Sequence, residues 1–168
     1  MQDCCILSYA KFLTDMGTKS FKFWFSMTIN PTSGLTSPHV VIRVDDDIIF
    51  DSFPKDIVEI VHEMYLPEGL HRLEVELLGK SNLDPQQAIS IKDLRINDIS
   101  DKKFIWNGLY TPNYPEPWAT EQRQQNIELL PCITNTDYLG WNGRWTLEFS
   151  SPIYTWIHRV QDHGWVYD

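Results

Sequence analysis

Three observations on this 168-residue sequence predict an all-β fold, a jelly-roll or β-sandwich. Apolar and polar residues alternate with a period of two over many short runs, as half-buried strands require. Turn signals built from Gly, Pro, Asn and Asp recur roughly every 8–15 residues. Few stretches carry helical spacing, so the pattern amounts to about eight to ten short strands in one domain over residues 1–168, with a long aromatic- and proline-rich loop at about 111–136.

The first apolar run, CCILSYA, lies within residues 1–10 and reads as a first strand, followed by a turn over residues 15–19. From Phe21 to Ile29 the pattern is strong. Phe21, Phe23, Phe25 and Met27 share one face, and Lys22, Trp24, Ser26 and Thr28 the other, so Trp24 is either covered by another layer or exposed for contact. Residues 30–38 are a loop by their Pro, Gly and Ser content. His39 to Phe53 reads as a hairpin that turns at Asp45, Asp46 and Asp47. Three acids could suggest calcium, but Asp is favoured in turns, and a calcium site needs roughly six to eight oxygens. Ile57 to Tyr65 fits helical or strand spacing, and its β-branched residues favour a strand.

The stretch from Leu70 to Ile99 contains two strands joined by a polar loop. Leu73, Val75 and Leu77 alternate with Glu74, Glu76 and Leu78. Ile89 and Ile91 alternate with Ser90 and Lys92, and Leu94 and Ile96 with Arg95 and Asn97. The phase slips where Lys92 and Asp93 stand together, which predicts a bulge or a bend. Asp101 to Tyr110 reads as a further strand, and Cys132 to Trp141 as loop, with Asn142 and Gly143 as a turn signal. Arg144 to Phe149 places Trp145, Leu147 and Phe149 inward. Ile153 to Val160 is a final strand or a short helix. The tail carries two further aromatics, Trp165 and Tyr167.

Composition limits the function. The net charge is −9, from 14 basic and 23 acidic residues, with no basic cluster, so nucleic acid is not the expected partner. No segment approaches the roughly 18 consecutive apolar residues of a membrane span. The start lacks the positive region and small-residue cleavage site of a signal peptide. The three cysteines, Cys4, Cys5 and Cys132, form neither a disulfide framework nor a zinc-ligand spacing, and reduced thiols suit folding in a cytoplasm. His62 and His71 have no partner at ligand spacing. No cofactor or metal ligand set is expected.

Catalytic motifs are missing as well. The chain has no nucleophile elbow, zinc-protease helix motif, phosphate-binding loop or dinucleotide fingerprint. Glu74 and Glu76 would lie roughly 6–7 Å apart along one strand. A glycosidase pair needs its carboxyls on opposite sides of a cleft, so a solvated sheet face explains them better. The chain is therefore expected not to be an enzyme, with no catalytic residues. The binding candidates are the aromatics Trp106, Tyr110, Tyr114 and Trp118, interleaved with prolines, together with Tyr138 and Trp141 in the next loop. Such rings can cap an open sandwich end, serve as hot spots of a protein contact, or stack on sugars.

Two resemblances extend this reading. HRLEVELLGKSNLDPQQAISIKDLRINDI resembles the back half of calcium-dependent xylan-binding carbohydrate modules, through Gly69, His71, Leu73 and Val75 and then Ile91, Leu94, Ile96 and Asn97. Asp84 is the only acid of the intervening loop, so this resemblance does not carry the calcium site. The longer run from Gly69 to His158 resembles small virion-associated proteins of tailed bacteriophages, marine and cyanobacterial ones in particular. The shared wording is LEVELLGKSN, ISIKDLRINDI, YTPNYPEPW and GWNGRWTLEFSSPIYTWI. That resemblance implies a carbohydrate-module-like sandwich on a virion, made in the host cytoplasm, as head decoration or a tail or fibre component. Its implied partners are capsid or tail subunits, further copies of the chain, or a host surface glycan, with neither nucleic acid nor membrane involved.

Overall fold

The computed structural model describes residues 19–32, 35–80, 84 and 86–162. Two antiparallel sheets pack face to face, the arrangement the alternation predicts. The first sheet has the order β10-β6-β1-β4, built from Tyr138–Leu139, Ala88–Ile96, Ser20–Thr32 and Val58–Pro67, with β7 (Ile99–Ser100) folded back on the end of β6. The second has the order β3-β2-β5-β11-β8-β9, built from Asp47–Ser52, His39–Val44, Gly69–Leu78, Gly143–Ser151, Leu109–Pro112 and Ile133–Thr134.

The core lies between the sheets and follows the period-two pattern. Phe23, Phe25, Met27 and Ile29 of β1 face Leu73, Val75 and Leu77 of β5, Val40, Ile42 and Val44 of β2, and Trp145, Leu147 and Phe149 of β11. The rings of Phe23 and Phe149 stack across the layers at 4.5 Å. The two strands of the 70–99 stretch do not pair with each other. β5 belongs to the second sheet and β6 to the first, so their polar connection carries the chain between layers. The predicted bulge is present: two steps of β1, from Ser26 to Thr28, oppose three steps of β6, from Arg95 to Lys92. Asp93 takes up the extra residue with φ 51°.

Several expectations are corrected. Asp101 to Tyr110 is not one strand. Asp101 caps a short helix, α1 (Lys102–Trp106), by accepting from the Lys103 amide at 2.8 Å, and β8 begins after Gly108. A Cβ on Gly108 would collide with the indole of Trp145, which is fully buried there and donates to the Ile105 carbonyl. The stretch at 111–136 is not loop throughout. It contains the end of β8, a second helix, α2 (Trp118–Gln124), and β9. Residues 132–141 also include two short strands, β9 and β10.

Ile153 to Val160 resolves as helix α3 (Ile153–Gln161), which buries Ile153, Trp156 and Ile157. Trp24 is half-buried and lines a cavity of about 340 Å³ with Lys22, Asn97, Ile153 and Tyr154. The hairpin turns at Asp45 and Asp46, and Asp47 is already the first residue of β3. The strand and turn expected before residue 19, and the aromatics Trp165 and Tyr167, lie outside the described residues.

Candidate functional site

Three of the six candidate aromatics meet at one end of the sandwich. Trp118, the first residue of α2, lies tilted against Trp141 in the β10–β11 connection, with centroids 4.6 Å apart. Tyr114 closes the triangle, 5.9 Å from each, edge-on to Trp141. The ammonium of Lys80 stands over the Trp141 ring at 5.1 Å and also donates to the Gly140 carbonyl. Burial holds the Lys80 amine below its ordinary range, partly offset by Asp84, and burial raises the Tyr114 phenol.

Polar bonds fix this end of the sandwich. Tyr110 is buried, and its hydroxyl donates to the Trp141 carbonyl at 2.7 Å and accepts from the Trp141 amide at 3.0 Å. Burial drives the Tyr110 phenol far upward, so it remains protonated and can hold both bonds. The Asn142 side chain accepts from the Lys80 amide at 2.8 Å and donates to the Lys80 carbonyl, while its own carbonyl accepts from the Asn113 amide. One residue, through its side chain and its backbone carbonyl, thus joins the ends of β5, β8 and β11. Gly143 has φ 147°, and a Cβ there would collide with the Thr111 carbonyl, so this close approach requires glycine.

Helix α2 is held in place from below and capped from the side. Its preceding Pro117 offers no side-chain cap. Glu116 takes that role, accepting from the Thr120 amide at 3.1 Å and the Thr120 hydroxyl at 2.8 Å, and pairing with Arg123 at 3.3 Å. Hydrogen bonds from Thr120 hold the Glu116 carboxyl below its usual range. The Tyr114 hydroxyl donates to the Leu130 carbonyl, fastening the far end of the segment. The result is an ordered platform that exposes Thr120, Arg123, Ile127 and Leu130.

The other candidates lie elsewhere. Tyr110 is in the core and acts through its hydroxyl. Tyr138, 49% exposed, sits on β10 opposite Ser90 and leans over Gly140. Trp106, 48% exposed, ends α1 and is not part of the ring triangle. Sequence reasoning missed Lys80, Asn142 and Glu116. Only Glu116 carried a local signal, a carboxylate four residues ahead of Thr120 at a helix start.

The outer face of the second sheet is also not the solvated face expected for Glu74 and Glu76. The side chains of Glu74 and Glu76 are only 6% and 16% exposed. Arg43 meets Glu76 at 2.6 Å, and Arg144 bridges Glu76 at 3.1 Å and Glu74 at 3.3 Å. A cavity of about 570 Å³ opens beside this face, lined by Leu109, Thr146, Glu148, Trp156, Arg159 and Val160. Among the described residues, no group of three or more His, Cys, Asp or Glu side chains could hold a metal, and no helix is long and apolar enough to cross a membrane. No protein-family model, curated protein or solved structure matches the chain.

Proposed function

We propose that the chain is a non-enzymatic structural protein of a bacteriophage virion, a head decoration or a tail or fibre component. It attaches to capsid or tail subunits through the platform that the Tyr114–Trp118–Trp141 triangle supports. One observation carries this reading: the triangle fixes α2 on the end of the sandwich. A pre-ordered helix, followed by a segment that exposes Ile127 and Leu130, loses little entropy on docking to a protein surface. The virion assignment itself rests on the resemblance of residues 69–158 to phage particle proteins.

The alternative occupant is a host surface glycan. Trp141 is poorly suited to stacking on a sugar, because Trp118, Tyr114 and Lys80 already crowd its ring. The uncovered rings of Tyr138 and Trp106 support this second reading. Purified particles assembled with Trp118→Ala or Ile127→Asp protein distinguish the two. Loss of the protein from particles, with unchanged circular dichroism, supports attachment through α2 and the segment that follows it. Full retention of both variants on particles, with glycan-array binding lost in Tyr138→Ala, overturns it in favour of the glycan.

A further inference from the structure

Each sheet of a sandwich has two edge strands, and an edge strand presents unpaired N–H and C=O groups to any other chain. Three of the four edges here are blunted. β9 and β10 are two residues long. β3 carries Asp47 and Asp51 and is interrupted by a bulge opposite Ile42 and Arg43. The fourth edge, β4, carries two acids, Glu59 and Glu63, but is neither short nor bulged. It runs ten residues, pairs with β1 in unbroken register from Val58 opposite Ile29 to Pro67 opposite Ser20, and carries no Lys. Among the described residues no strand pairs with its outer side. On its solvent face Val61 is 57% and Tyr65 67% exposed.

We infer that β4 is a self-association edge, on which a second copy of this chain adds its own β4 antiparallel and fuses the two five-stranded sheets into one. Charge selects the register. For a two-fold axis normal to the sheet, opposed residues share a face, so a residue must sit on the axis. An axis through Val61 would set Glu59 against Glu63, and one through Glu63 would set that residue against itself; like charges directly opposite destabilise a pair. An axis through His62 avoids both. It places Val61 opposite Glu63, Glu59 opposite Tyr65, Ile60 opposite Met64 and Val58 opposite Leu66, and it uses nearly the whole strand. Glu63 is already paired with Lys22 of β1 at 2.9 Å, which lowers the charge that Val61 of the second copy would meet.

Sedimentation velocity on the full chain tests this, at protein concentrations from about 1 to 100 μM, a span that brackets micromolar affinity. The wild type should sediment as a dimer at the upper end. Val61→Glu, which sets two like-charge pairs across the axis, should shift dissociation to at least about tenfold higher concentration. Val61→Lys, which sets two opposite-charge pairs, should retain or tighten the dimer. Ile48→Glu, on the β3 edge, should leave it unchanged. Val61 and Ile48 are both exposed, so all three variants should fold, as checked by thermal melting. A wild type that remains monomeric throughout overturns the inference. So does equal behaviour of Val61→Glu and Val61→Lys, because that outcome removes the register.

Discussion

The indole of Trp118 rests against that of Trp141, 4.6 Å between centroids, and joins helix α2 to the connection between β10 and β11. The contact turns a segment with proline-rich flanks into a fixed surface. Its energetic worth is open to measurement apart from any partner. A half-buried indole packed on another ring is worth about 1–2 kcal/mol, so losing it should raise the open population of α2 roughly 5–30-fold. Trp118→Ala should therefore speed tryptic cleavage after Arg123 by a similar factor, with little change in the main melting transition. Cleavage at the wild-type rate would mean that the Glu116 cap alone holds the helix.

Tyr110 contributes through a different bond. Its hydroxyl satisfies both the amide and the carbonyl of Trp141. Tyr110→Phe keeps the ring in the core and leaves both backbone groups without that partner. A loss of about 1–3 kcal/mol is expected, a fall in Tm of roughly 3–10 °C. A melting temperature within a degree of wild type would show that solvent replaces the hydroxyl without cost.

The arginine-paired carboxylates set the acid limb of stability. Burial pushes the Glu76 carboxyl upward, but hydrogen bonds and charge from Arg43 and Arg144 outweigh it and hold the group below its ordinary value of 4.5. The unfolded chain therefore takes up this proton more readily than the folded one. The stabilisation from Glu76 is complete above about pH 5 and is lost as pH falls through and below 4.5. Melting curves from pH 7 to 3 should show Glu76→Gln less stable at pH 7 and with a shallower decline below pH 5. Parallel declines for the two proteins would assign the acid limb to other carboxylates.

Much of the fold was legible in the residue order, because a strand buried on one face writes its burial into every second position. β1, β5, β6 and β11 followed from alternation, the β2–β3 hairpin from its Asp-rich turn, and the slip at Lys92 and Asp93 marked the bulge that Asp93 makes. Short helices escaped the same reasoning. α1 is five residues and α2 seven, too few to establish a 3.6-residue period against a background of aromatics and prolines. Alternation also placed Glu74 and Glu76 on the outer face but could not show that Arg43 and Arg144 lie opposite them, because register between strands distant in sequence is set by packing.

The candidate site divides along the same line. The richness of Trp and Tyr between residues 106 and 141 is a property of the chain, and it singled out the region. Which rings meet is not. Tyr114, Trp118 and Trp141 converge because β8 and β11 pair, setting Gly143 opposite Pro112 and bringing the two connections beyond them to one end of the sandwich. The same pairing leaves Trp106 and Tyr138 outside the triangle. Local order thus specified the strands and the stock of aromatic side chains, since both depend only on near neighbours. The closing of the two sheets selected which side chains make a surface, because contacts between distant residues exist only once that core has formed.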